Sequence, residues 1–217
     1  MPRVRAAAMS VSAPTVTGVS ASEAGDRIVD EDWYARDLSG TAWRDVTFVD
    51  VDLTEAAGVG ATFEECTFRG VKFNAASFTE CAFTACVFDR CNFFDVTFER
   101  CKLMGSVFSN SKLDLVKVER GNWSFVDLSR ADVGSARFDG VRFREANLRE
   151  LQARGAVLTG CDLSGADLEL ANLSGAALLG SDLSAVDPRT ATLDGAIVTP
   201  DQATVLVESL GLVVRPV

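Results

Sequence analysis

Histidine is absent from this 217-residue sequence, and tyrosine occurs only once. Without histidine, the chain cannot build a Ser-His-Asp triad, a histidine acid/base pair or a histidine-ligated metal site. No apolar run approaches the ~20 residues that a membrane-spanning helix needs, and a mixed Ala/Ser/Val stretch, not a signal-peptide core, follows Arg3 and Arg5. The sequence therefore predicts a cytoplasmic protein that is not an enzyme and that needs no cofactor, metal or small-molecule substrate.

Basic residues are scarce relative to acidic ones. The chain has 21 Lys and Arg against 31 Asp and Glu, which gives a formal net charge of −10. A chain of this charge repels nucleic acid and anionic membranes, so we expect neither as a partner. A charged partner should instead present a basic surface.

Hydrophobic residues recur at every fifth position. From Leu38 to Val198 in steps of five, nearly every residue is large and apolar, and twelve of the 14 phenylalanines stand in this register. The exceptions are Gly58, Ala153 and Pro188. The register never slips, so no loop interrupts the repeat. A period of five fits neither an α-helix nor an alternating β-strand.

A second series of small or β-branched residues stands two positions before these centres. All six cysteines belong to it: Cys66, Cys81, Cys86, Cys91, Cys101 and Cys161. Six cysteines could indicate disulfides, a metal site or a redox pair. Their fixed place in the repeat favours a packing role, because a free cysteine behaves as a small buried hydrophobe.

Glycine recurs two positions after the centre, where 11 of the 17 glycines stand. A recurring glycine indicates a repeated corner with positive φ. Between residues 38 and 198 no charged residue occupies either apolar series, so two residues of every five face inward. Short flat faces joined by tight turns, stacked at the ~4.8 Å strand spacing, satisfy this pattern. The predicted fold class is an all-β solenoid.

Local motifs such as Cys-Thr-Phe-Arg-Gly (66–70) and Ala-Asn-Leu-Ser-Gly (171–175) resemble the pentapeptide-repeat family. The resemblance extends over residues 38–198. It implies a right-handed quadrilateral β-helix with four pentapeptides in each coil. The repeat would then form about eight coils.

Both ends of the chain lack the repeat. Residues 1–32 are predicted to be a flexible extension, residues 33–198 the β-helix and residues 199–217 a C-terminal helix and dimerisation tail. Thr199, Pro200 and Gln202 have the pattern of an N-cap with a capping box, and Gly211 ends the helix.

The C-terminal tail should cover the last coil, because an open solenoid end invites aggregation. After the helix, residues 212–214 have the composition of an apolar strand. Short apolar elements at a chain end can pair across a twofold axis, so we also expect a homodimer. Its contact residues are predicted to be Leu206, Leu210, Leu212 and Val214.

The tail sequence 202–214, together with 193–196 and 101–105, is similar to the Qnr/MfpA group of pentapeptide-repeat proteins, which protect DNA gyrase and topoisomerase IV from quinolones. The resemblance implies a rod-shaped homodimer, joined by its C-terminal ends, that imitates duplex DNA on the enzyme. It would confer resistance to quinolones or immunity to gyrase-directed natural products. Qnr proteins carry two loops that this unbroken register lacks, as in the MfpA branch. The alternative is a structural scaffold for an unrelated partner.

Acidic residues concentrate near both ends of the repeat, with six acids and one base in 38–65 and again in 162–194. In a dimer joined at its C-termini, the second stretch would form a central acidic saddle for a basic DNA-binding groove. The acids expected to contact gyrase are Asp162, Asp167, Glu169, Asp182, Asp187 and Asp194. The alternative is that acids merely keep the outer surface soluble.

Four large apolar residues stand in outward positions: Phe94, Met104, Leu115 and Phe125. With four faces per coil, Phe94 and Leu115 fall on one face in adjacent coils, and the other pair falls on the opposite face. Either neighbouring side chains stack over these residues, or they form small exposed patches that contact a partner.

Overall fold

Parallel coils stack along the whole repeat. In the computed structural model, which describes residues 26–215, residues 20 apart pair in parallel, so each coil has four faces. One ladder of strand pairs and single bridges runs unbroken from Asp37 to Ile197, in eight steps of 20 residues. The fold is therefore a four-sided parallel β-solenoid, as predicted.

Fourteen three-residue strands form three of the faces. They are β1 Arg27–Val29, β2 Ala42–Arg44, β3 Thr47–Val49, β4 Ala57–Val59, β5 Thr62–Glu64, β6 Thr67–Arg69, β7 Ser77–Thr79, β8 Ala82–Thr84, β9 Val87–Asp89, β10 Thr97–Glu99, β11 Val107–Ser109, β12 Lys117–Glu119, β13 Arg137–Asp139 and β14 Val157–Thr159. Face 1 contains β1, β3, β6, β9 and β11; face 3 contains β4, β7, β10, β12, β13 and β14; face 4 contains β2, β5 and β8. Within the described residues, face 2 is held by single bridges, such as that between Lys72 and Asn92.

Phenylalanine rings fill the axis of the N-terminal coils. Phe48, Phe68 and Phe88 stand one coil apart on face 1, with ring centroids 4.8 and 5.0 Å apart and nearly parallel planes. Rings from neighbouring faces meet edge-on, as Phe63 and Phe68 do at 5.6 Å. In the C-terminal coils leucine takes over the centres, and Leu163 is fully buried. The five-residue register therefore forms one continuous apolar core, as predicted.

The faces are of two kinds, which differ at the corner. In a turn-tied face, the N–H three residues after the centre donates to the carbonyl of the centre, as from Ala166 to Leu163 at 3.0 Å. In an extended face, which carries a three-residue strand, the described residues lack this bond and pairing with adjacent coils holds the corner. Extended faces dominate before residue 110, and turn-tied faces dominate after it.

Corner residues adopt positive φ whether or not they are glycine. Gly160 has a φ of 60°, in agreement with the recurring glycine of the sequence. Twenty non-glycine residues occupy the same slot with φ between 50° and 61°, among them Ala85 and Phe125. Hydrogen bonds to the adjacent coils fix this backbone, so the repeat imposes the left-handed conformation and glycine only lowers its cost.

The cysteines combine packing with hydrogen bonding. In an extended face the centre's carbonyl receives no bond from its own turn, and in eight of the fourteen such faces a side chain 23 residues later donates to it. Cys86 donates to Phe63 at 3.4 Å, and Ser106, in the equivalent position, donates to Phe83 at 2.7 Å. The same bond is made by Cys81, Cys91, Cys101, Cys161, Ser111 and Ser181. Thiols and hydroxyls in this slot therefore supply these buried carbonyls with a hydrogen-bond donor from the next coil.

All six cysteines are free, buried thiols. Burial raises the pKa of Cys91 to about 12 and that of Cys161 to about 11. Both thiols therefore keep their protons at neutral pH and act as hydrogen-bond donors rather than as nucleophiles.

Pairing is interrupted at one step of face 2. Between residues 111–115 and 131–135 the described structure lacks the three backbone bonds found at most other steps of this face, and the Leu115 N–H donates to the Ser135 hydroxyl at 2.9 Å. A cleft of about 430 Å³ opens at the adjoining corner, lined by Phe108 and by polar residues such as Asn110 and Asp132. The interruption separates the phenylalanine-rich coils from the leucine-rich coils.

The solenoid begins earlier than the predicted boundary at residue 33. Strand β1 pairs with β3, and Ile28 packs against the core. Arg36 stands in an otherwise apolar slot, where its guanidinium lies 4.0 Å over the Trp33 ring. A cation on an aromatic face compensates for the missing apolar residue, so the structure moves the boundary to residue 27. Residues 1–25 of the predicted extension lie outside the described residues.

A short helix covers the last coil. Helix α1, Pro200–Ser209, begins after the N-cap Thr199 and has the predicted capping box with Gln202. The buried Gln202 amide also donates to the carbonyls of Leu178 and Ser181, at 2.7 Å each. These bonds tie the helix to backbone groups that have no further coil to pair with.

The strand predicted over residues 212–214 does not form. Residues 212–215 have no regular secondary structure. A strand needs a neighbour for its N–H and C=O groups, and residues 26–215 supply none beside this segment. The apolar character of the segment was read correctly, but its conformation was not.

Candidate partner-binding surface

The six acids predicted to contact gyrase surround the last coils instead of forming one stripe. Asp162 and Asp182 are neighbouring rungs of face 4. Asp167 pairs with Asn147 on face 1, and Glu169 and Asp187 share that face. The carbonyl of Asp194 pairs with Gly175 on face 2. The acids lie near one end of the rod, as predicted, and point in three directions.

Four of these acids also hold the backbone. Asp162, Asp167, Asp182 and Asp187 each stand one residue before a centre and accept a hydrogen bond, at 2.9–3.1 Å, from the N–H two residues later. Only short side chains such as Asp and Asn reach this N–H. Within residues 26–215, no strand-bearing face has Asp or Asn in this position. The acidity of the last coils therefore follows in part from their turn-tied corners.

Ion pairs reduce the charge of half of these acids. The pairs are Glu169 with Arg149, Asp162 with Arg144 at 3.9 Å and Asp187 with Arg189 at 3.5 Å. Within residues 26–215, the acids without an ion-pair partner are Asp167, Asp182 and Asp194. These three carboxylates are the strongest candidates for contact with a basic partner, because no neighbouring cation offsets their charge.

The C-terminal tail leaves apolar side chains exposed. Of the predicted dimerisation residues, Leu206 packs against the core, whereas Leu210, Leu212 and Val214 are 42–59% exposed. The sequence analysis missed Val213, which is 79% exposed, although the Leu-Val-Val run contained the signal. A cluster of exposed apolar residues at one end of a rod is typical of a contact surface.

The four outward apolar residues in the middle of the rod are also exposed. Phe94, Met104, Leu115 and Phe125 retain 40–53% of their accessible surface. If neighbouring side chains stack over these four residues, as one of the two sequence-based explanations holds, they cover only about half of each side chain. The two pairs lie on faces 2 and 4, which are opposite sides of the coil.

A partner can recognise this surface by its charge, its apolar side chains and its shape. Among residues 26–215, no group of three or more cysteine and carboxylate side chains could hold a metal ion. No helix in that range is long and apolar enough to cross a membrane. Complementary charge with a few apolar anchors is the usual basis of protein recognition.

Comparisons with known proteins agree with this architecture. The family description "Pentapeptide repeat region" matches residues 71–148, and "Pentapeptide repeats (8 copies)" matches residues 48–84 and 154–187. Two trypsin-treated forms of QnrB1, a plasmid-mediated fluoroquinolone resistance protein, have similar structures. They are 23% and 21% identical to this chain, with TM-scores of 0.61 and 0.56, and each match covers 88% of this chain and 98% of the trypsin-treated chain. No functionally curated protein matches the sequence.

Proposed function

The chain belongs to the pentapeptide-repeat family, and we propose that it binds DNA gyrase or topoisomerase IV as a DNA-mimicking homodimer. In this role it confers resistance or immunity to quinolones or to gyrase-directed natural products. The observation that carries the proposal is the end of the rod, where exposed apolar residues adjoin coils ringed by acids. The likeness to QnrB1 over nearly the whole of both chains supports the same role.

The exposed tail supports the dimer. Leu212 and Val214 remain 59% and 43% exposed within the described chain, and residues 212–215 lack a pairing strand. A second copy, related by a twofold axis, supplies both the apolar cover and a strand partner. Eight steps at the strand spacing give a rod of ~38 Å, so a dimer joined end to end spans ~77 Å, comparable with ~22 base pairs of B-DNA.

The charge density supports local mimicry at this joint. Residues 162–194 carry six acids and one base, a net charge of −5 within ~8 Å of rod. That is roughly one charge per 1.6 Å, against ~1.7 Å for B-DNA, before Arg144 and Arg149 of the preceding coils are counted. Residues 66–161 are more nearly neutral, whereas residues 38–65, again with six acids and one base, form a second acidic stretch at the outer end of each arm. The mimicry proposed here is that of the C-terminal stretches, which meet at the centre of the dimer.

A gyrase supercoiling assay tests the proposal. Purified protein should inhibit supercoiling or reduce quinolone-stabilised DNA cleavage. The triple variant Asp167→Asn, Asp182→Asn, Asp194→Asn should lose at least about tenfold in potency, the equivalent of ~1.4 kcal/mol of binding. At residues 167 and 182 asparagine keeps the side-chain bond to the corner N–H, and the exposed residue 194 makes no such bond, so the fold is preserved. A lysine reversal would break that bond and confuse charge with folding.

A matched control separates acidity at the joint from acidity in general. Asp127 and Asp132 make the same bond to a corner N–H in the middle of the rod. The double variant Asp127→Asn, Asp132→Asn should retain full potency. Equal potency of the triple variant and the wild type would contradict the acidic-saddle proposal.

The dimer is tested separately by the double variant Leu212→Asp, Val214→Asp. Both residues lie beyond α1, so the helix still caps the last coil. Sedimentation should give a monomer with much weaker gyrase inhibition, because two like-charged tails repel. Leu115→Asp, an equally exposed change in the middle of the rod, should leave the dimer intact. A variant that stays dimeric would show that the tail is not the contact.

A scaffold for an unrelated partner is the second candidate. It is favoured by the spread of the acids over three faces and by the backbone role of four of them. Under this function the tail variant changes solubility alone, and no concentration of the protein alters supercoiling.

A further inference from the structure

A cationic and apolar patch lies on face 4, in the middle of the rod, and its last rung adjoins the first acid of the acidic end, Asp162. Three successive coils form it, with Lys102 and Met104 on the first rung, Ser124 and Phe125 on the second, and Arg142 and Arg144 on the third. Bridges from Lys102 to Asn122 and from Asn122 to Arg142 keep the rungs in register. We refer to these six residues as the face-4 patch.

Asn122 organises the apolar part of the face-4 patch. Its amide nitrogen lies 3.8 Å from the Met104 sulfur, and its oxygen accepts bonds from the Ser124 hydroxyl and N–H, at 2.7 and 3.1 Å. These contacts hold the methionine beside the neighbouring rung. A preformed surface loses less side-chain freedom when a partner binds.

Phe125 has two unfavourable features, an exposed ring and a strained backbone, that no contact within the described chain offsets. Its ring is 53% exposed, and its φ of 60° lies in the left-handed region, where a bulky residue is strained. Glycine occupies the same slot one rung earlier, at Gly105, so the solenoid does not require an aromatic here. Leu115 and Leu170 share this strain and exposure, so what distinguishes Phe125 is its place beside Met104 and the cations of the face-4 patch.

The charge of the face-4 patch is opposite to that of the whole protein. Lys102 and Arg142 make no ion pair within residues 26–215, and Arg144 reaches only Asp162, at 3.9 Å. The single acid among the outward positions of these three rungs is Glu145. Three cations beside two exposed apolar side chains therefore stand on a chain of net charge −10.

We infer that the face-4 patch binds an acidic protein segment that carries an apolar side chain. Carboxylates of the segment pair with Arg142, Arg144 and Lys102, and its apolar residue packs on Phe125 and Met104. Three rungs span only ~10 Å, so the segment is short and the contact is a weak, secondary anchor. This inference does not depend on gyrase being the main partner.

Selection from a library of random nine-residue peptides displayed on phage tests the inference without assuming a sequence. Wild-type protein is the bait, and the double variant Phe125→Gly, Arg142→Glu is used for counter-selection. We expect the enriched peptides to combine Asp or Glu with Leu, Ile, Phe or Trp. Synthetic copies of these peptides, labelled with fluorescein, should bind the wild type saturably, with affinity that falls as salt rises.

Leu170→Gly provides the matched control. Leu170 occupies the same corner slot with a φ of 61° and is also 53% exposed, but it lies on face 1. Both Phe125→Gly and Leu170→Gly relieve a left-handed residue, so both should raise the melting temperature. Phe125→Gly alone should weaken peptide binding about tenfold, as expected for one central contact residue.

Several results would overturn the inference. One is enrichment of basic or uncharged peptides; another is enriched peptides that bind the double variant as well as the wild type. The inference would also be overturned if the library yielded no peptide specific for the wild type. A fall in melting temperature for Phe125→Gly would make the ring a structural residue. Sedimentation with phosphatidylserine vesicles, lost in Arg142→Glu, would assign the patch to lipid instead.

Discussion

The coils before residue 110 and those after residue 145 share one register but differ in core, corner and surface. In the N-terminal coils phenylalanine rings stack and extended faces dominate, and thiols or hydroxyls from the next coil donate to carbonyls of the centres. The C-terminal coils pack leucine, close most corners by their own backbone and place Asp or Asn at the corner N–H. The interruption on face 2 lies between them.

This difference links the core to the surface charge. A centre's carbonyl needs a donor, which comes from its own turn in a turn-tied face and from the adjacent coil, through strand pairing or a side chain, in an extended face. A bond from the centre's own turn creates a corner at which aspartate is favoured, whereas a donor from the adjacent coil does not. The acidic end proposed to imitate DNA is therefore also the turn-tied end, and charge can be separated from conformation only by exchanging Asp for Asn.

The largest effect is expected from the aromatic stack. Phe68 is fully buried and has parallel rings above and below it. Phe68→Ala should lower the free energy of unfolding by about 3–5 kcal/mol, and Leu163→Ala, in the C-terminal coils, by about 2–5 kcal/mol. Urea denaturation measures both. A larger loss for Leu163→Ala would contradict the view that ring stacking makes the N-terminal coils the more sensitive half.

The buried serine donor should come next. Ser106 is fully buried; its hydroxyl donates to the Phe83 carbonyl and accepts from the Cys86 N–H. Ser106→Ala leaves both groups unpaired, at about 1–3 kcal/mol each. Ser106→Cys, which restores the donor found at other coils, should recover part of the loss in the same urea titration. If Ser106→Ala were as stable as the wild type, the hydrogen bonds of Ser106 would not stabilise the fold.

Alkaline pH should weaken the N-terminal coils more than the C-terminal ones, because three of the four thiols with a raised pKa, Cys86, Cys91 and Cys101, lie there. Folding raises the pKa of Cys91 to about 12, so its stabilisation is complete below the unfolded thiol pKa of ~8.5 and is lost as pH rises towards 12. At pH 10 this one thiol should account for about 2 kcal/mol of the loss relative to pH 8.

Urea denaturation at pH 8 and pH 10 measures this loss. Cys91→Ser keeps a donor to the Phe68 carbonyl without the titration, and it should reduce the difference between the two pH values. If Cys91→Ser is as alkali-sensitive as the wild type, the titrating group lies elsewhere.

The smallest effect is expected at the corners. Asp167 and Thr67 occupy equivalent positions on face 1, but only Asp167 accepts a bond from a corner N–H. Asp167→Ala should cost about 1 kcal/mol, as for the loss of a similar side-chain bond at a helix N-cap, while Asp167→Asn should cost little. Thr67→Ala, on an extended face, should be nearly neutral. Thermal denaturation of the three variants would disprove the corner role if alanine and asparagine behaved alike at residue 167.

The sequence alone was sufficient to predict the five-residue repeat, the apolar core and the helix that caps the last coil. A five-residue register that never slips leaves no freedom in which side chains face inward, and Thr199 with Gln202 predicted the helix start. The two kinds of face were missed, although the signal was present. Asp or Asn before a centre accompanies a turn-tied face, and Cys or Ser in the small slot accompanies an extended face one coil earlier.

Other features could not be read from periodicity. Arg36 breaks the pattern, and only its place over Trp33 explains how the first coil continues to β1. The lost pairing near Ser135 leaves the register intact, so no count of residues reveals it. The strand predicted at 212–214 depends on a neighbour, which a single chain does not provide. Which acids are ion-paired depends on contacts 20 residues apart, such as Arg149 with Glu169.

Competition between this protein and DNA for gyrase tests the central claim most directly. Gyrase is immobilised and saturated with the protein, and a linear duplex is then added at increasing concentration. The account predicts mutually exclusive binding: DNA displaces the wild type, and the triple variant Asp167→Asn, Asp182→Asn, Asp194→Asn binds weakly from the start. Simultaneous binding of duplex and protein, with the triple variant binding as tightly as the wild type, would contradict it.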